Sequence, residues 1–517
     1  MNENQIFEAI GETDDEMLEK AENVQKKNTA WIKIVGAAAA VCVVAAGAAG
    51  IKALTDDIPT GDIADNTTAA AGNANPDGSV EEDMNSYSPE TNAMLLSAAT
   101  YPVMPPYPDE FSEDFETQYD AWHNFIKEYR QEQNMEYKTS INSFTYDSMS
   151  AFLTGAKNEN RVVSPMNVYF ALSMLAQSSE GNSRQQILDL LGAKDMEALQ
   201  GYSNSMLKRN YSNDNALISV FANSVWLSDS LNYNMDTLKL LSDSYFADSF
   251  SGNVSDPAYT KAFQEWLNVN TGGMLENEAK QLEFDPESVF TLASTVYFRG
   301  KWDSEFDPDK TTEDTFTTAM GEEITCDFMN KETEDYYYWS DNFGAINLRF
   351  SGAGGSKMWL ILPDEGVTTD EILNSSEIEE FFAPFETMSP LDNYPNSQRI
   401  IINNSMPKFD TAYSVDLKEG LTKMGITDVF DSKTADFSAL LGAESADTAL
   451  SAAQHSVRVA IDEEGCTATA FTAMMAAGAA RPPEEEIDFV LNRPFIFILQ
   501  GVSGDPVFAG VINNPTI

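Results

Sequence analysis

An uncharged apolar run from Ile34 to Ile51 is the feature that most constrains what this chain can fold into. Its sequence, IVGAAAAVCVVAAGAAGI, has about the length of a membrane-crossing helix and is rich in alanine. We therefore expect a transmembrane signal-anchor helix over residues 31–52. Basic residues before the run and acidic residues after it favour a cytoplasmic N-terminus: Lys26, Lys27 and Lys33, then Asp56 and Asp57. A cleaved signal peptide is the alternative, since small residues are frequent towards the end of the run.

The rest of the chain divides into segments of different composition. Residues 1–30 form a short acidic segment that we place in the cytoplasm. Residues 53–94 are rich in Asp, Asn, Thr, Ala, Gly and Pro, which is typical of a flexible tether. Residues 95–517 are predicted to fold outside the cytoplasm, with an N-terminal extension at 95–140. Helical and strand patterns intermix from about Ile141 onward, so the predicted class is α+β.

Charge and composition exclude several classes of function. The chain has 31 Lys and Arg against 82 Asp and Glu, a formal charge of −51, which disfavours nucleic acid and heparin-like polyanions as partners. Its three cysteines include Cys42 inside the apolar run, so no disulfide framework is indicated. With only His123 and His455 in the whole chain, a histidine-based metal site or activated nucleophile has little support. We expect a monomer without cofactor or metal, and no enzyme.

Several sequence segments resemble those of one family, in the family's own order. The first is a Ser-Pro turn that opens a long helix, and the last two, near the C-terminus, are a hinge-like and a signature-like stretch. In chain order the segments are Arg161–Leu175, Ala222–Trp226, Trp266–Leu275, Tyr297–Trp302, Met406–Phe409, Leu421–Ile426, Ile461–Gly465 and Val490–Phe497. Together they identify the region from about Ile141 to the end as similar to serpins. The resemblance implies helices around three β-sheets, with a mobile reactive-centre loop.

By this resemblance the protein is a suicide inhibitor of serine endopeptidases. A serpin offers its loop to a protease, is cut, and inserts the upstream part of the loop as a new strand of its main sheet while still acylated. The inserting segment must alternate, because every second side chain enters the core. The hinge and inserting residues are Glu463, Glu464, Gly465, Cys466, Thr467, Ala468, Thr469, Ala470 and Thr472. Small or apolar residues occupy the alternate positions from Cys466 to Ala476.

The family distance from Gly465 places the reactive bond at Ala479-Ala480. A small residue at the cut predicts a protease with a shallow primary pocket, as in elastase-like enzymes. Arg481 as bait for a trypsin-like enzyme is an alternative, although Pro482 would then follow the bond. The acidic residues after the cut favour a basic protease, for example from a host.

The resemblance also implies a cluster that holds the main sheet closed until insertion. Its members would be Ser164, Ser294 and His455, where Ser294 stands in place of the family's usual asparagine; Trp302 would lie where insertion begins. The alternative function is a non-inhibitory serpin that acts as a surface binding or adhesion module. The predicted setting is the surface of a bacterial cell.

Overall fold

The computed structural model of the protein describes most of the chain from residue 87 onward and two short stretches before it. The described residues are 37–47, 51–52, 87–108, 112, 114–131, 133, 135–213, 217–351, 355–387, 394–465 and 485–517. The predicted cytoplasmic segment 1–30 and the larger part of the predicted tether lie outside these residues.

The helices of the described residues are α1 Pro89–Asn92, α2 Phe115–Gln131, α3 Tyr137–Leu153, α4 Pro165–Ser178, α5 Gly181–Leu190, α6 Met196–Asn210, α7 Met235–Tyr245, α8 Pro257–Asn270, α9 Glu276–Lys280, α10 Thr369–Leu373, α11 Glu377–Thr387, α12 Lys418–Lys423 and α13 Ser438–Leu441. Short 3-10 turns stand at Pro308–Lys310, Asp428–Phe430 and Gly442–Ser445.

The strands of the described residues are β1 Ala37–Gly47, β2 Ile51–Lys52, β3 Leu95–Ser97, β4 Arg161–Val163, β5 Ser212–Asn213, β6 Leu217–Ser228, β7 Ala247–Gly252, β8 Glu283–Phe284, β9 Ser288–Gly300, β10 Thr312–Thr317, β11 Glu323–Trp339, β12 Phe343–Arg349, β13 Lys357–Pro363, β14 Ser397–Pro407, β15 Phe409–Asp416, β16 Ala449–Ile461, β17 Glu486–Val490, β18 Phe495–Gln500 and β19 Pro506–Ile512.

The described strands form three sheets. We call the eight-stranded one the main sheet; its order is β15-β16-β1-β9-β6-β7-β3, with β5 paired to β6. The second sheet runs β17-β14-β11-β12-β13-β18-β19-β4, with β10 paired to β11, and β2 pairs with β8 alone. In the main sheet, eleven of the twelve residues of β6 are buried, as expected for a strand covered on both faces. This architecture agrees with the predicted α+β class.

The apolar run does not form the predicted helix. Ala37–Gly47 is strand β1, which lies between β9 and β16 and runs antiparallel to both. Ile51–Lys52 pairs with Glu283–Phe284. Among the described residues, no helix combines the length and the apolar character needed to cross a membrane. The prediction differed because a continuous apolar run suits a membrane helix and a fully buried central strand equally well, and periodicity does not separate the two.

Helix α4 forms the centre of the core behind the main sheet. All fourteen of its residues are buried, which explains why its sequence is apolar around the whole circumference instead of along one stripe. Ser164 caps its N-terminus by accepting a hydrogen bond from the Asn167 amide, and Pro165 follows as the first helical residue. The helix therefore begins at a position set by its own sequence.

The end of the predicted tether belongs to the folded domain. The Tyr87 hydroxyl donates to Asp248 Oδ2 at 2.9 Å, and the side chain is 7% exposed. Ser88 caps α1 and donates from its hydroxyl to Glu265 of α8. Residues 87–94, which composition assigned to the tether, are thus packed against α8 and β7. A few anchoring polar contacts hold a segment whose overall composition is that of a linker.

Candidate functional site

The main sheet ends at a turn where β16 gives way to the predicted reactive loop. Gly465, the last described residue of this turn, has a φ of +95°, a value that favours glycine. A Cβ atom at this position would lie 2.6 Å from the Trp302 backbone nitrogen. Gly465 also forms antiparallel bridges with Lys301 and with Asp462. The turn therefore requires glycine at position 465 for two separate reasons. The backbone there has a positive φ, and the Trp302 backbone, which follows β9, lies too close to leave room for a Cβ atom.

Trp302 holds this turn against the sheet. Its backbone amide donates to the Glu464 carbonyl at 3.1 Å, and its indole Nε1 donates to the Asp462 carbonyl at 2.9 Å. The indole stacks on Phe350, with ring centroids 4.6 Å apart and planes inclined by 13°. Trp302 thus lies beside Gly465, the residue from which a strand that continued the loop into the sheet would start.

Glu463 anchors the same turn through its side chain. Its carboxylate accepts a hydrogen bond of 2.7 Å from the Thr311 hydroxyl and forms a 3.0 Å ion pair with Lys408. Burial alone would raise the pKa of Glu463. Hydrogen bonds from the Thr311 hydroxyl and from a backbone amide, together with the Lys408 ammonium, outweigh burial and lower this pKa below its ordinary value. The group is therefore held ionised, and it ties the turn to the residue that precedes β15.

Asp462 stands in the opposite electrostatic situation. Burial raises its pKa to about 7, and the neighbouring Glu463 and Glu464 carboxylates add to the rise against the opposing effect of the Glu464 amide. One carboxyl of the turn thus titrates close to neutral pH, next to another that stays charged.

The loop beyond the turn lies outside the described residues. This applies to Cys466, Thr467, Ala468, Thr469, Ala470 and Thr472, and to the predicted reactive bond Ala479-Ala480. The described chain resumes with residue 485, and β17 then pairs in parallel with β14 in the second sheet. Of the predicted hinge residues, Glu463, Glu464 and Gly465 are placed, and all three lie beside Trp302.

Ser164 and His455 meet behind the main sheet. The Ser164 amide donates to His455 Nε2 at 3.0 Å, so this ring nitrogen is the unprotonated one. The Ser164 hydroxyl donates to the Val507 carbonyl at 2.7 Å. His455 lies on β16 of the main sheet and Val507 on β19 of the second sheet. One serine therefore joins the start of α4 to both large sheets.

Ser294 does not join this cluster. It lies on β9, and β1 separates it from His455: Cys42 is opposite Ser294 on one side and opposite His455 on the other. Two strand spacings put the backbones of Ser294 and His455 about 10 Å apart. The structure thus brings together two of the three predicted members of the cluster and keeps the third across an intervening strand.

Sequence reasoning missed four residues of the site. They are the acceptor Val507, the stacking partner Phe350, and the two partners of Glu463, Thr311 and Lys408. Lys408 stood inside the segment Met406–Phe409 that carried the family resemblance, but its role depends on a contact with a residue 55 positions away. Local pattern contains no signal for such a pairing.

The main sheet, the glycine turn at its end and the buried helix behind it form the architecture of serpins. A family model described as "Serpin (serine protease inhibitor)" matches residues 139–515, well over half of the chain. The protein belongs to the serpin family, whose members are generally protease inhibitors and not proteases.

Curated relatives match over most of their own length. Neuroserpin of Mus musculus is 26% identical over 376 residues, which are 69% of this chain and 87% of that protein. Serpin-Z1C of Triticum aestivum is 27% identical over 370 residues, covering 69% of this chain and 90% of that protein.

Solved structures show the same fold at lower identity. The thermophilic serpin tengpin in its native state is 24% identical with a TM-score of 0.62, covering 74% of this chain and 95% of that one. Human thyroxine-binding globulin complexed with its ligand is 20% identical with a TM-score of 0.59, covering 73% of this chain and all of that one. At these identities the likeness concerns the fold alone.

Proposed function

We propose that this protein is a suicide inhibitor of serine endopeptidases that traps them by inserting its cleaved loop into the main sheet. The observation that carries the proposal is the position between β9 and β16, where the sheet takes up an eleven-residue strand antiparallel to both neighbours. The Gly465 turn lies at one end of that position. A loop that continued from this turn into the sheet would run antiparallel to both β9 and β16, as the strand in that position does.

The chemistry of trapping follows from the order of events. The protease's serine attacks the carbonyl carbon of Ala479, the bond to the Ala480 nitrogen breaks, and the new amine leaves with the C-terminal fragment. The upstream segment stays bound to the protease as an ester. Insertion of the fourteen residues from Cys466 to Ala479 carries that ester about 45 Å along the sheet, since an extended strand rises about 3.3 Å per residue. Movement of this size distorts the protease before water cleaves the ester.

The target we propose is elastase-like. Alanine on the cleaved side of the bond fits a shallow primary pocket, while a deep pocket leaves much of its surface unpaired. The acidic residues 484–486 and the formal charge of −51 favour encounter with a basic protease, because opposite charge raises the association rate.

A membrane-bound, extracytoplasmic form is part of the proposal. The uncharged run and the lysines before it support an anchor at residues 31–52 with the N-terminus inside. Ala37–Gly47 cannot lie in a bilayer and in the main sheet together, since each backbone group pairs only once. Protease added outside intact cells should remove the serpin domain; full protection would place it inside and contradict this form.

A second candidate function is a non-inhibitory serpin that binds a partner at the cell surface. The observation in its favour is strand β1, which already fills the position that trapping requires. Such a protein would be cut in the loop without holding the protease.

The experiment that separates the two mixes the protein with an elastase and analyses the products by denaturing electrophoresis and N-terminal sequencing. Inhibition predicts an adduct that resists denaturant, with a new N-terminus at Ala480. Cleavage without an adduct, both in the full chain and in Val43→Pro, which weakens the pairing of β1, contradicts trapping. Ala479→Arg should transfer adduct formation from the elastase to trypsin, which tests the position of the bond itself.

A matched pair of loop variants tests insertion. Ala470→Glu places a charge on the face that would enter the core and should convert the inhibitor into a substrate that is cut and released. Thr469→Glu places the same charge on the solvent face and should leave the adduct intact. Equal behaviour of the two variants would contradict insertion in this register.

A further inference from the structure

Strand β1 occupies almost the whole length of the position between its neighbours. Its pairing with β9 runs from Ala37 opposite Arg299 to Gly47 opposite Ser288. Its pairing with β16 runs from Ala38 opposite Val459 to Gly47 opposite Ala449. Because a central strand uses its N–H and C=O groups on both sides, a second strand finds no backbone partners there while β1 is present.

The turn at Asp462–Gly465 begins to pair with the continuation of β9 in the register that β1 uses. In an antiparallel pair, one strand advances by one residue as the other retreats by one. Continuing the bridge between Gly465 and Lys301 would therefore place Thr467 opposite Arg299. Arg299 is the residue that Ala37 faces. Thr467 of the loop and Ala37 of β1 would thus pair with the same residue of β9.

The β16 side gives the same correspondence independently. Continuing the bridge between Gly465 and Asp462 would place Ala468 opposite Val459. Val459 is the partner of Ala38. The β9 side therefore matches β1 to the loop residue by residue from Thr467 to Ala476, where the register of β1 with β9 shifts. The β16 side gives the same match from Ala468 to Met475, where the register of β1 with β16 shifts by one residue.

The two segments also match in residue type along this correspondence. Both are free of charge and proline, and three alternating positions carry alanine in both: Ala38 and Ala468, Ala40 and Ala470, Ala46 and Ala476. These positions belong to the set that the loop would turn toward the core. A position in the sheet that suits one segment therefore suits the other.

We propose that β1 is an autoinhibitory strand: by filling the sheet position in the register of the reactive loop, it blocks loop insertion until it is withdrawn. This role rests on the proposed inhibitory function. With β1 in place a protease can cut the loop, but the cut loop has no strand position to enter and the ester hydrolyses. A membrane that took up residues 31–52 would empty the position and switch inhibition on.

A disulfide tests the position of β1 in the full chain. Ser294→Cys in a Cys326→Ser, Cys466→Ser background places a thiol opposite Cys42. Opposed residues of antiparallel strands have Cα atoms about 4.5–5.5 Å apart, within the range that a disulfide spans. Thr295→Cys is the matched control, because neighbouring strand residues point to opposite faces. Peptide mapping without reductant should find Cys42 linked to the thiol introduced by Ser294→Cys and no link in the control; absence of this link overturns the proposal.

The same protein tests the block. Oxidised Ser294→Cys protein should be cut by elastase without an adduct, and reduction should restore adduct formation in the same preparation. Val43→Pro should release β1 because proline removes a ladder hydrogen bond from a central strand, whereas Val43→Thr keeps the amide and serves as its control. If β1 fills the position in about 99% of molecules, release should speed adduct formation about 100-fold.

Each of the remaining experimental outcomes contradicts a different part of the proposal. An adduct that forms equally well from oxidised and reduced Ser294→Cys protein overturns autoinhibition and leaves the inhibitory function standing. A link that forms as expected, with cleavage but no adduct from both the reduced protein and Val43→Pro, overturns the inhibitory function and with it the autoinhibitory role. In that case the strand's position alone is upheld.

Discussion

Lys408 and Glu463 form a 3.0 Å ion pair that ties the turn at Asp462–Gly465 to the beginning of β15. The Glu463 side chain is 11% exposed, whereas that of Lys408 is 31% exposed. The carboxylate therefore depends on its protein partners more than the ammonium does. This asymmetry makes the two single substitutions at the pair unequal.

Lys408→Met should destabilise the protein more than Glu463→Gln does. The first leaves a poorly solvated carboxylate with the Thr311 hydroxyl and a backbone amide but no opposite charge, at a cost of about 1–3 kcal/mol; the second removes the charge and keeps an acceptor for Thr311. Urea unfolding followed by tryptophan fluorescence measures both. Lys423→Met, which breaks the solvent-exposed pair with Glu419, is the control and should leave stability almost unchanged, because water screens such a pair. Equal losses at all three positions would contradict the role of Glu463.

Asp462→Asn should stabilise the protein at pH 8 and have little effect near pH 4. Because the folded-state pKa is raised to about 7, the folded protein holds a proton there that the unfolded chain has already lost. The resulting stability is complete below the unfolded pKa near 4 and is lost as the pH rises through about 7. The loss is at most about 1.4 kcal/mol per pH unit over this window. Thermal unfolding of both proteins from pH 4 to 8 measures this loss of stability. If the melting temperatures of the two proteins changed with pH in parallel, the role of Asp462 would be contradicted.

Gly465→Ala should be more harmful than Gly366→Ala. Both glycines have positive φ, +95° and +86°, so both substitutions carry a backbone cost of about 1–2 kcal/mol. Only at Gly465 does the added Cβ also meet another backbone atom, the Trp302 nitrogen at 2.6 Å; nothing lies within 4 Å at Gly366. A larger fall in melting temperature for Gly465→Ala than for Gly366→Ala, together with a changed tryptophan emission, would report the close approach of the Trp302 backbone. Equal shifts would mean that the turn relaxes without strain.

Ser164→Ala should cost about twice as much as Asp195→Ala. Each substitution removes a helix cap, worth about 1 kcal/mol. The serine hydroxyl also donates to the buried Val507 carbonyl, so its loss leaves that acceptor unpaired and adds about 1 kcal/mol. The free energy of unfolding in urea separates the two values. If Ser164→Ala were no worse than Asp195→Ala, the link between helix and second sheet would carry no stability.

Much of the fold was predictable because the sequence marks its own local structure. Helix α4 begins where Ser164 and Pro165 supply a cap and a first helical residue. The hinge stays a prediction from Ile461–Gly465, and the structure gives a physical reason for glycine at position 465. These features depend on residues close together in the chain.

Other parts depend on partners distant in sequence. The pairing of Glu463 with Lys408 and of Ser164 with His455 links residues that only the tertiary structure brings together. Ser294 was assigned to the same cluster by resemblance, but β1 lies between it and His455. The packing of Tyr87 against Asp248 likewise placed the end of the tether in the folded domain.

The sequence by itself determined the serpin family and the α+β class, because motif, cap and turn chemistry act over a few residues. The tertiary structure alone decided where the apolar run lies. A segment of alanine and valine without charge satisfies its backbone as a helix in lipid or as a strand between two others, and local sequence does not distinguish these environments. Strands β9 and β16 supply the hydrogen-bond partners that make Ala37–Gly47 a strand.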